Sequence, residues 1–465
     1  MKRFPFFSAG LATWLSVALL CSGCSTDAGD TGGEGAIGGS GSSGGDGGGG
    51  SGNGGTGASV DGGGGSGNGG DGGSGGCEPY GAACDCEDGW HATDHDWDCW
   101  PWTKCQGDEV AINLPNDYVD RACARLEFLD QFGTAGYDTA TAVAANPDGT
   151  ICVSGARLQG PGDAARSLGG FVRAYGADGS LLWDQSFDGD GANVTDVAID
   201  PAGNCFSLGL ASQPQGGVGQ WFVRKHTGAG AVAWAATGST QAQTPQQLEV
   251  DPDGNVFASF VTRSPEASTD TPQHTELVKY DASGALSWSA SVGNDDVARS
   301  YFALAGREAV VVRSPSTVTR LTGEGSVSWE KTYQGAEISN VTDAAANATG
   351  YAFLTGDTTS SSSGRLLVLD PSGNGTPLGV PTYLPTKVRS GEDGAVWLQD
   401  WDGISAWSAA GQWFYSLGEL SFPVAVHDFA SIPGFVVLVG EPTQPLAGQT
   451  NLGLWDAVVV KLRVN

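Results

Sequence analysis

The sequence predicts an all-β protein whose folded bulk is a seven-bladed β-propeller. Three observations point there. From Leu126 to the end the chain repeats at intervals of about 40 to 55 residues, the period of propellers and solenoids. Five of the repeats carry a Trp after a tight turn closed by Gly. The last repeat stops after its third strand, at Val458–Val464, and the missing fourth strand stands ahead of the first repeat, at Phe128–Phe132.

In chain order, residues 1–23 read as an export signal. Lys2 and Arg3 form a positive n-region, Leu11–Leu20 an apolar h-region, and Cys21-Ser22-Gly23-Cys24 follows. The apolar core falls short of the roughly 20 residues a spanning helix needs. The stretch Cys21–Cys24 resembles the bacterial lipoprotein lipobox, with Cys21 where that family usually has Leu. The resemblance implies cleavage after Gly23, acylation of Cys24, and a membrane partner reached through the lipid. Ser25 beside the anchor implies sorting to the outer membrane of the cell envelope.

Residues 24–76 form the lipidated N-terminus and a Gly/Ser-rich linker with almost nothing to bury, hence a disordered coil spanning about 40 Å. A G-x-G-x-x-G match at Gly47, Gly49 and Gly52 has neither strand nor helix around it and carries no nucleotide site. The formal charge of -30 becomes -32 once Lys2 and Arg3 leave with an acid-free signal. Such acidity favours solubility and excludes nucleic acid as a partner.

Residues 77–125 hold Cys77, Cys84, Cys86, Cys99, Cys105 and Cys123, a density that reads as a small disulfide-rich module in an exported chain. Spacing alone leaves 15 connectivities. The stretch Cys99-Trp100-Pro101-Trp102-Thr103-Lys104-Cys105, with Gly107 and Asp120-Arg121-Ala122-Cys123, is similar to the second half of a tumour-necrosis-factor-receptor cysteine-rich repeat. That resemblance implies Cys105–Cys123 and Cys86–Cys99, and leaves Cys77–Cys84. His91, Asp94, His95, Asp96 and Asp98 are the densest set of metal-ligand types, but match no zinc or EF-hand spacing and read as a solvated loop. No metal or other cofactor is assigned.

Residues 126–465 form the propeller. The outer-strand markers are Trp183/Phe187, Trp234/Gly238, Trp288/Val292, Trp329/Tyr333 and Trp413/Leu417, following turns at Gly179, Gly230, Gly284, Gly325 and Gly411. Upstream hairpins turn at Asn146–Gly149, Asp200–Gly203, Asp251–Gly254 and Gly391–Gly394, where Pro or Asp sets the early turn positions and Gly supplies positive φ at the last. Four short strands per unit make a propeller blade. Phe128–Phe132 completes the last blade, which removes a sheet edge and fixes the count at seven. These repeats resemble the SBBP-type β-propeller family, most closely at Asp281–Trp288 and Asp200–Asn204. The fifth unit has Pro377 and Pro381 where Trp is expected.

One Trp per outer strand reads as packing between blades rather than a ligand platform. Lys225, Lys279, Arg320 and Lys461 recur at one register and read as stems with solvated heads. Asp188-Gly189-Asp190-Gly191-Ala192-Asn193 is slightly calcium-like but lacks the distal bidentate Glu, so it reads as a turn. Cys152 and Cys205 occupy equivalent strands of adjacent blades; a bond between them requires the blades to approach well inside the usual ~10 Å sheet spacing.

Catalytic motifs such as a P-loop, HExxH or a G-x-S-x-G elbow are absent. The hairpins also resemble quinoprotein dehydrogenase repeats, without the cofactor-stacking disulfide and calcium ligands those enzymes need. The loops between second and third strands are long and share one face: Ala156–Gly169, Ser212–Gly219, Thr262–His274 and Glu441–Leu454. The expectation is a monomeric, non-enzymatic binding or adhesion protein for a protein or glycan. Arg157, Asp188, Asp190, Gln213, His274, Asp295 and Asp296 are its candidate face residues. The alternatives are a periplasm-facing assembly scaffold, through likeness to the outer-membrane assembly lipoprotein, and an enzyme using the central pocket.

Overall fold

A computed structural model describes residues 90–92, 99–101, 109–113 and 121–464. Within the last span it leaves out 160–165, 189–191, 212–218, 240–242, 263–273, 293–299, 314–316, 334–339, 359–360, 384, 392–394, 401–402, 409–412, 417–423, 443–445, 447, 451 and 454. The proposed lipidation site Cys24 and the cysteines 77, 84, 86 and 105 lie outside the described residues, as do Asp94, His95 and Asp98. Cys99 and His91 are placed on strands and no more is described of them.

Among the described residues every regular element is a strand. β1 (Trp90–Ala92) pairs with β2 (Cys99–Pro101) as an isolated hairpin. β3 (Glu109–Asn113) and β4 (Arg121–Phe132) follow. The first blade is β5 (Tyr137–Ala145), β6 (Ile151–Gln159), β7 (Arg166–Tyr175) and β8 (Leu181–Asp188). The second is β9 (Asn193–Ile199), β10 (Cys205–Ala211), β11 (Gln220–His226) and β12 (Val232–Ser239). The third is β13 (Gln243–Val250), β14 (Val256–Thr262), β15 (His274–Tyr280) and β16 (Leu286–Val292). The fourth is β17 (Ser300–Ala305), β18 (Glu308–Arg313), β19 (Thr317–Leu321) and β20 (Val327–Thr332). The fifth is β21 (Asn340–Ala346), β22 (Ala352–Thr358), β23 (Ser361–Leu369) and β24 (Gly375–Tyr383). The sixth is β25 (Lys387–Ser390), β26 (Ala395–Asp400), β27 (Gly403–Ser408) and β28 (Trp413–Ser416). The seventh joins β29 (Val424–Ile432), β30 (Phe435–Pro442) and β31 (Ala457–Arg463) to β4.

The expected strand exchange is present and longer than Phe128–Phe132: β4 pairs with β31 from Phe132↔Ala457 to Arg125↔Arg463. Its aromatics also dock on the first blade. Phe128 stacks on Tyr175 at 5.8 Å, Phe132 meets Phe171 edge-on at 5.2 Å, and the Tyr175 hydroxyl donates to Asp130 at 2.8 Å. One buried cluster therefore runs across the seam, from Ile151, Val153 and Phe171 to Val437, Ala457 and Val459. β3 adds a feature absent from the sequence reading. It pairs with β4 over five residues and meets β28 at Asn113↔Ser416, joining the sixth and seventh blades in one nine-stranded sheet. The propeller ladder thus begins inside the span assigned to the cysteine-rich module.

The Trp register is blade packing. Trp183, Trp234 and Trp288 each cover the turn glycine of the next blade: a Cβ on Gly230 would stand 2.8 Å from Trp183, one on Gly284 2.6 Å from Trp234, and one on Gly325 2.7 Å from Trp288. These glycines also hold φ near +80°, so conformation and close approach both demand Gly. The indole N–H groups of Trp234, Trp288 and Trp329 donate to carbonyls of the same neighbouring turns. The degenerate marker at Gly238 has a cause: the Trp221 ring fills that space, 2.3 Å from where a Cβ would lie. The fifth blade keeps an outer strand despite Pro377, because a free sheet edge needs no N–H from it.

Two expectations are corrected. The heads of Lys225, Lys279, Arg320 and Lys461 are not solvated. Lys279 donates to the Gly323 carbonyl at 3.1 Å and pairs with the fully buried Asp251 side chain at 3.7 Å. Lys225 pairs with Asp200 at 3.2 Å, Arg320 donates to Gly350 at 2.9 Å, and Lys461 donates to Ala177 at 2.8 Å. Turn carbonyls otherwise left without donors explain the insertion. Second, Arg157, expected on a loop, lies in β6, because the β6–β7 ladder continues past a bulge at Arg157/Leu158 to Gln159↔Arg166.

Candidate functional site

Where they are described, the first-to-second and third-to-fourth connections of a blade are tight and lie on one face. The other face carries the second-to-third connections and the links between blades. The second-to-third connections there include 212–219, 263–273 and 443–456. Arg157, His274 and Asp188 are strand-end residues bordering this wide-loop face. Asp190, Gln213, Asp295 and Asp296 lie outside the described residues. Arg157 pairs with Asp138 at 3.9 Å and donates to the Ser186 hydroxyl.

Cys152 and Cys205 are joined by a disulfide with a Cα–Cα separation of 6.0 Å. The second strands lie near the axis, where blades converge, and both residues are fully buried among Val172, Val194 and Phe222. The close approach that the bond required is therefore supplied by the ring.

The innermost strands surround the propeller axis and carry charged residues that the sequence reading passed over. β-Bulges take Thr141, Thr195, Gln246, Thr342 and His427 out of the ladder register in β5, β9, β13, β21 and β29. The residue after a bulge can then reach the next blade. Asp196 accepts from the Leu248 amide at 2.7 Å, Asp343 from Val388 at 3.0 Å and Asp428 from Val143 at 3.0 Å. In β13 Gln247 follows the bulge and accepts from the Phe302 amide at 3.2 Å, and Glu249, two residues on, accepts from Leu304 at 2.8 Å. β25 supplies the cations. Arg389 donates to Asp343 at 2.8 Å and to Asp428 at 2.7 Å, and Lys387 donates to Asp428 at 2.8 Å.

Electrostatics separates these acids into two kinds. Burial would raise Asp428, but Lys387 and Arg389 outweigh it and hold the carboxyl below its ordinary range. Burial pushes Asp196 up to about 7 and Glu249 up to about 8, because the cations lie on the far blades. Arg389 is held above its ordinary value: burial alone would lower it, and Asp428, Asp343 and Asp196 win. Arg389 remains 30% exposed, as expected for a side chain surrounded by several blades yet facing the narrow axial bore. A recurring sequence signal marks the clamp, Val194-Thr195-Asp196-Val197-Ala198, Val341-Thr342-Asp343-Ala344-Ala345 and Val426-His427-Asp428-Phe429-Ala430.

At the seam of first and seventh blades, His427 Nδ1 lies 3.0 Å from the Thr139 hydroxyl and 3.2 Å from the Ala140 carbonyl. Burial lowers it to about 4, and raises nearby Glu441 to about 7. The same seam has a small cleft lined by Phe132, Gly133, Thr134, Asp138, Arg157, Phe171 and Arg173. Trp455, 47% exposed, stands beside Tyr137 with ring centroids 6.0 Å apart. Among the described residues Lys387 and Arg389 are paired, and Asp196, Glu249, Asp343 and Asp428 each hold a strand of a neighbouring blade, so this network positions blades.

No family model matches the sequence, and no curated protein matches it either. The SBBP-type and receptor-repeat resemblances therefore rest on the residues quoted for them. The fold is similar to a catalytically inactive virginiamycin B lyase of Staphylococcus aureus bound to quinupristin, with TM-score 0.51 and 11% identity over 73% of this chain and 99% of that chain. The Dos1 propeller is similar with TM-score 0.44 and 11% identity, covering 73% of this chain and 95% of that one. At such identity the first likeness shows the propeller fold alone.

Proposed function

We propose that this chain is a non-enzymatic binding protein of the cell envelope, anchored through Cys24 and presenting the wide-loop face to a protein or glycan. The observation that carries the reading is the division of the ring into two faces. One is closed by tight turns such as Asn146–Gly149 and Asp251–Gly254. The other gathers the long connections and the exposed Trp455. Loops on a rigid scaffold are where recognition usually resides, and the axial and seam networks supply that rigidity.

The test is capture by the full chain from envelope extract and on a glycan panel. Replacing 212–218 and 263–273 with two-residue turns abolishes capture while thermal unfolding stays cooperative; capture retained by that variant sinks the reading. Anchoring is tested separately by labelling with an alkynyl fatty acid, which Cys24→Ala loses. Protease added to intact cells distinguishes surface display from a periplasm-facing scaffold, because a scaffold inside the outer membrane survives.

A further inference from the structure

At the seam two carboxylates converge, Asp138 paired with Arg157 and Asp456 with no ion pair among the described residues. A Cβ built on Gly133 would stand 2.6 Å from Asp456 Oδ1 and 2.9 Å from Asp138 Oδ2. Asp456 is fully buried and Asp138 is 2% exposed. Among the described residues no ion pair is found for Asp456. Its Oδ2 accepts from the Gln131 side-chain amide at 2.7 Å and from the Leu452 amide at 2.9 Å, whereas its Oδ1 has no hydrogen-bond partner. Asp138 Oδ2 accepts from the Thr134 amide and hydroxyl, and its Oδ1 lies 3.9 Å from Arg157.

A second orphan lies beside the first. Gln131 is 7% exposed and its Oε1 is likewise buried without a partner. Its Nε2 is fixed on Asp456, so the other corner of the same planar amide is held close to that carboxylate. A buried carboxylate without a cation, with one oxygen undonated, is strongly unfavourable. Two such oxygens from different residues share one remedy.

We propose that Asp138, Asp456 and Gln131 bind a calcium ion that fastens the closure of the ring. The ligands are hard oxygens, two anionic and one neutral, which suits a divalent oxygen-seeking cation and offers nothing to zinc or copper. Calcium is favoured over magnesium because it accepts irregular, partly protein-built shells. Gly133, Thr134 and Asp138 also border the seam cleft. Gly133 is required there, since any side chain would enter the space between the carboxylates. The ion would tie β4 and the β30–β31 connection to β5, the three pieces that meet when the chain closes. This site differs from the Asp188–Asn193 turn that looked slightly calcium-like in sequence, and it does not depend on what the face binds.

The experiment compares the full chain with Asp456→Asn and Asp138→Asn in EDTA and in 10 mM CaCl2 at one ionic strength. If the affinity is in the millimolar range of extracellular sites, the wild-type melting temperature rises by roughly 2 °C with calcium. Both variants lose the rise. Terbium emission excited through Trp455 and Tyr137 appears on the wild type, is displaced by calcium, and weakens in Asp456→Asn. An equal calcium response in wild type and variants overturns the site, as does no response in the wild type. A melting temperature blind to calcium that climbs on acidification in the wild type alone assigns the pair a shared proton and likewise overturns it.

Discussion

Glu249→Gln isolates the energetic cost of an acid at the propeller axis. Glu249 accepts the Leu304 amide at 2.8 Å while burial pushes its carboxyl up to about 8. An acid with a raised folded-state value binds its proton more tightly folded than unfolded, so its contribution is fully present below the unfolded value and fades as pH rises toward 8. Between pH 5 and pH 8 the loss is about 3 kcal/mol, at about 1.4 kcal/mol per proton per pH unit. Partial exposure toward the bore makes this an upper figure. Asp196 and Glu441, both pushed up to about 7, act in the same direction. The depressed histidines His226 and His427, near 4, oppose it only below their ordinary value of about 6.5. The wild type is therefore expected to lose stability between pH 6.5 and pH 8. Glu249→Gln keeps an oxygen for the Leu304 amide and removes the ionisation, so it is expected to match wild type near pH 5 and exceed it at pH 8. Urea unfolding at both pH values measures the difference. A variant with the wild-type pH slope would refute the assignment of the cost to this side chain.

Reducing the Cys152–Cys205 bond opens a link of sequence separation 53, and by loop entropy Cys152→Ala with Cys205→Ala costs about 4 kcal/mol. Guanidinium unfolding with and without reductant measures it, and an unchanged midpoint contradicts it. Gly238→Val drives a methyl-bearing side chain into Trp221 and is expected to cost about 2 kcal/mol or more, read as a lowered melting temperature. Phe128→Ala removes the ring that covers Gly179 and stacks on Tyr175, with an expected loss of about 2 kcal/mol for a half-buried aromatic. Limited proteolysis then opens first near β4, and cleavage elsewhere first contradicts the closure role.

Much of the fold was legible because propeller blades are local. A turn such as Asp251–Gly254 needs only its own residues: Asp251 accepts from the Gly254 amide through its carbonyl and from Asn255 through its side chain. The outer Trp register was legible for the same reason, since one aromatic per unit must face one glycine per unit. The site was less so. The Lys279 head looks solvated until the next blade places Gly323 over it, and the orphaned oxygen of Asp456 exists only when residue 456 meets residue 133.

The sequence alone determined the seven repeats, the all-β class, the turns and the strand that closes the ring, because these follow from period, turn chemistry and short-range pairing. Tertiary structure decided what depends on distances between blades. It brought Cys152 within 6.0 Å of Cys205, set Asp196 and Glu249 apart from the cations that hold Asp428 ionised, and faced Asp138 with Asp456 across Gly133. The physical reason is common to all three. Electrostatics, disulfide reach and coordination vary steeply over a few ångströms, and closing the ring fixes those ångströms between residues that the chain itself holds far apart.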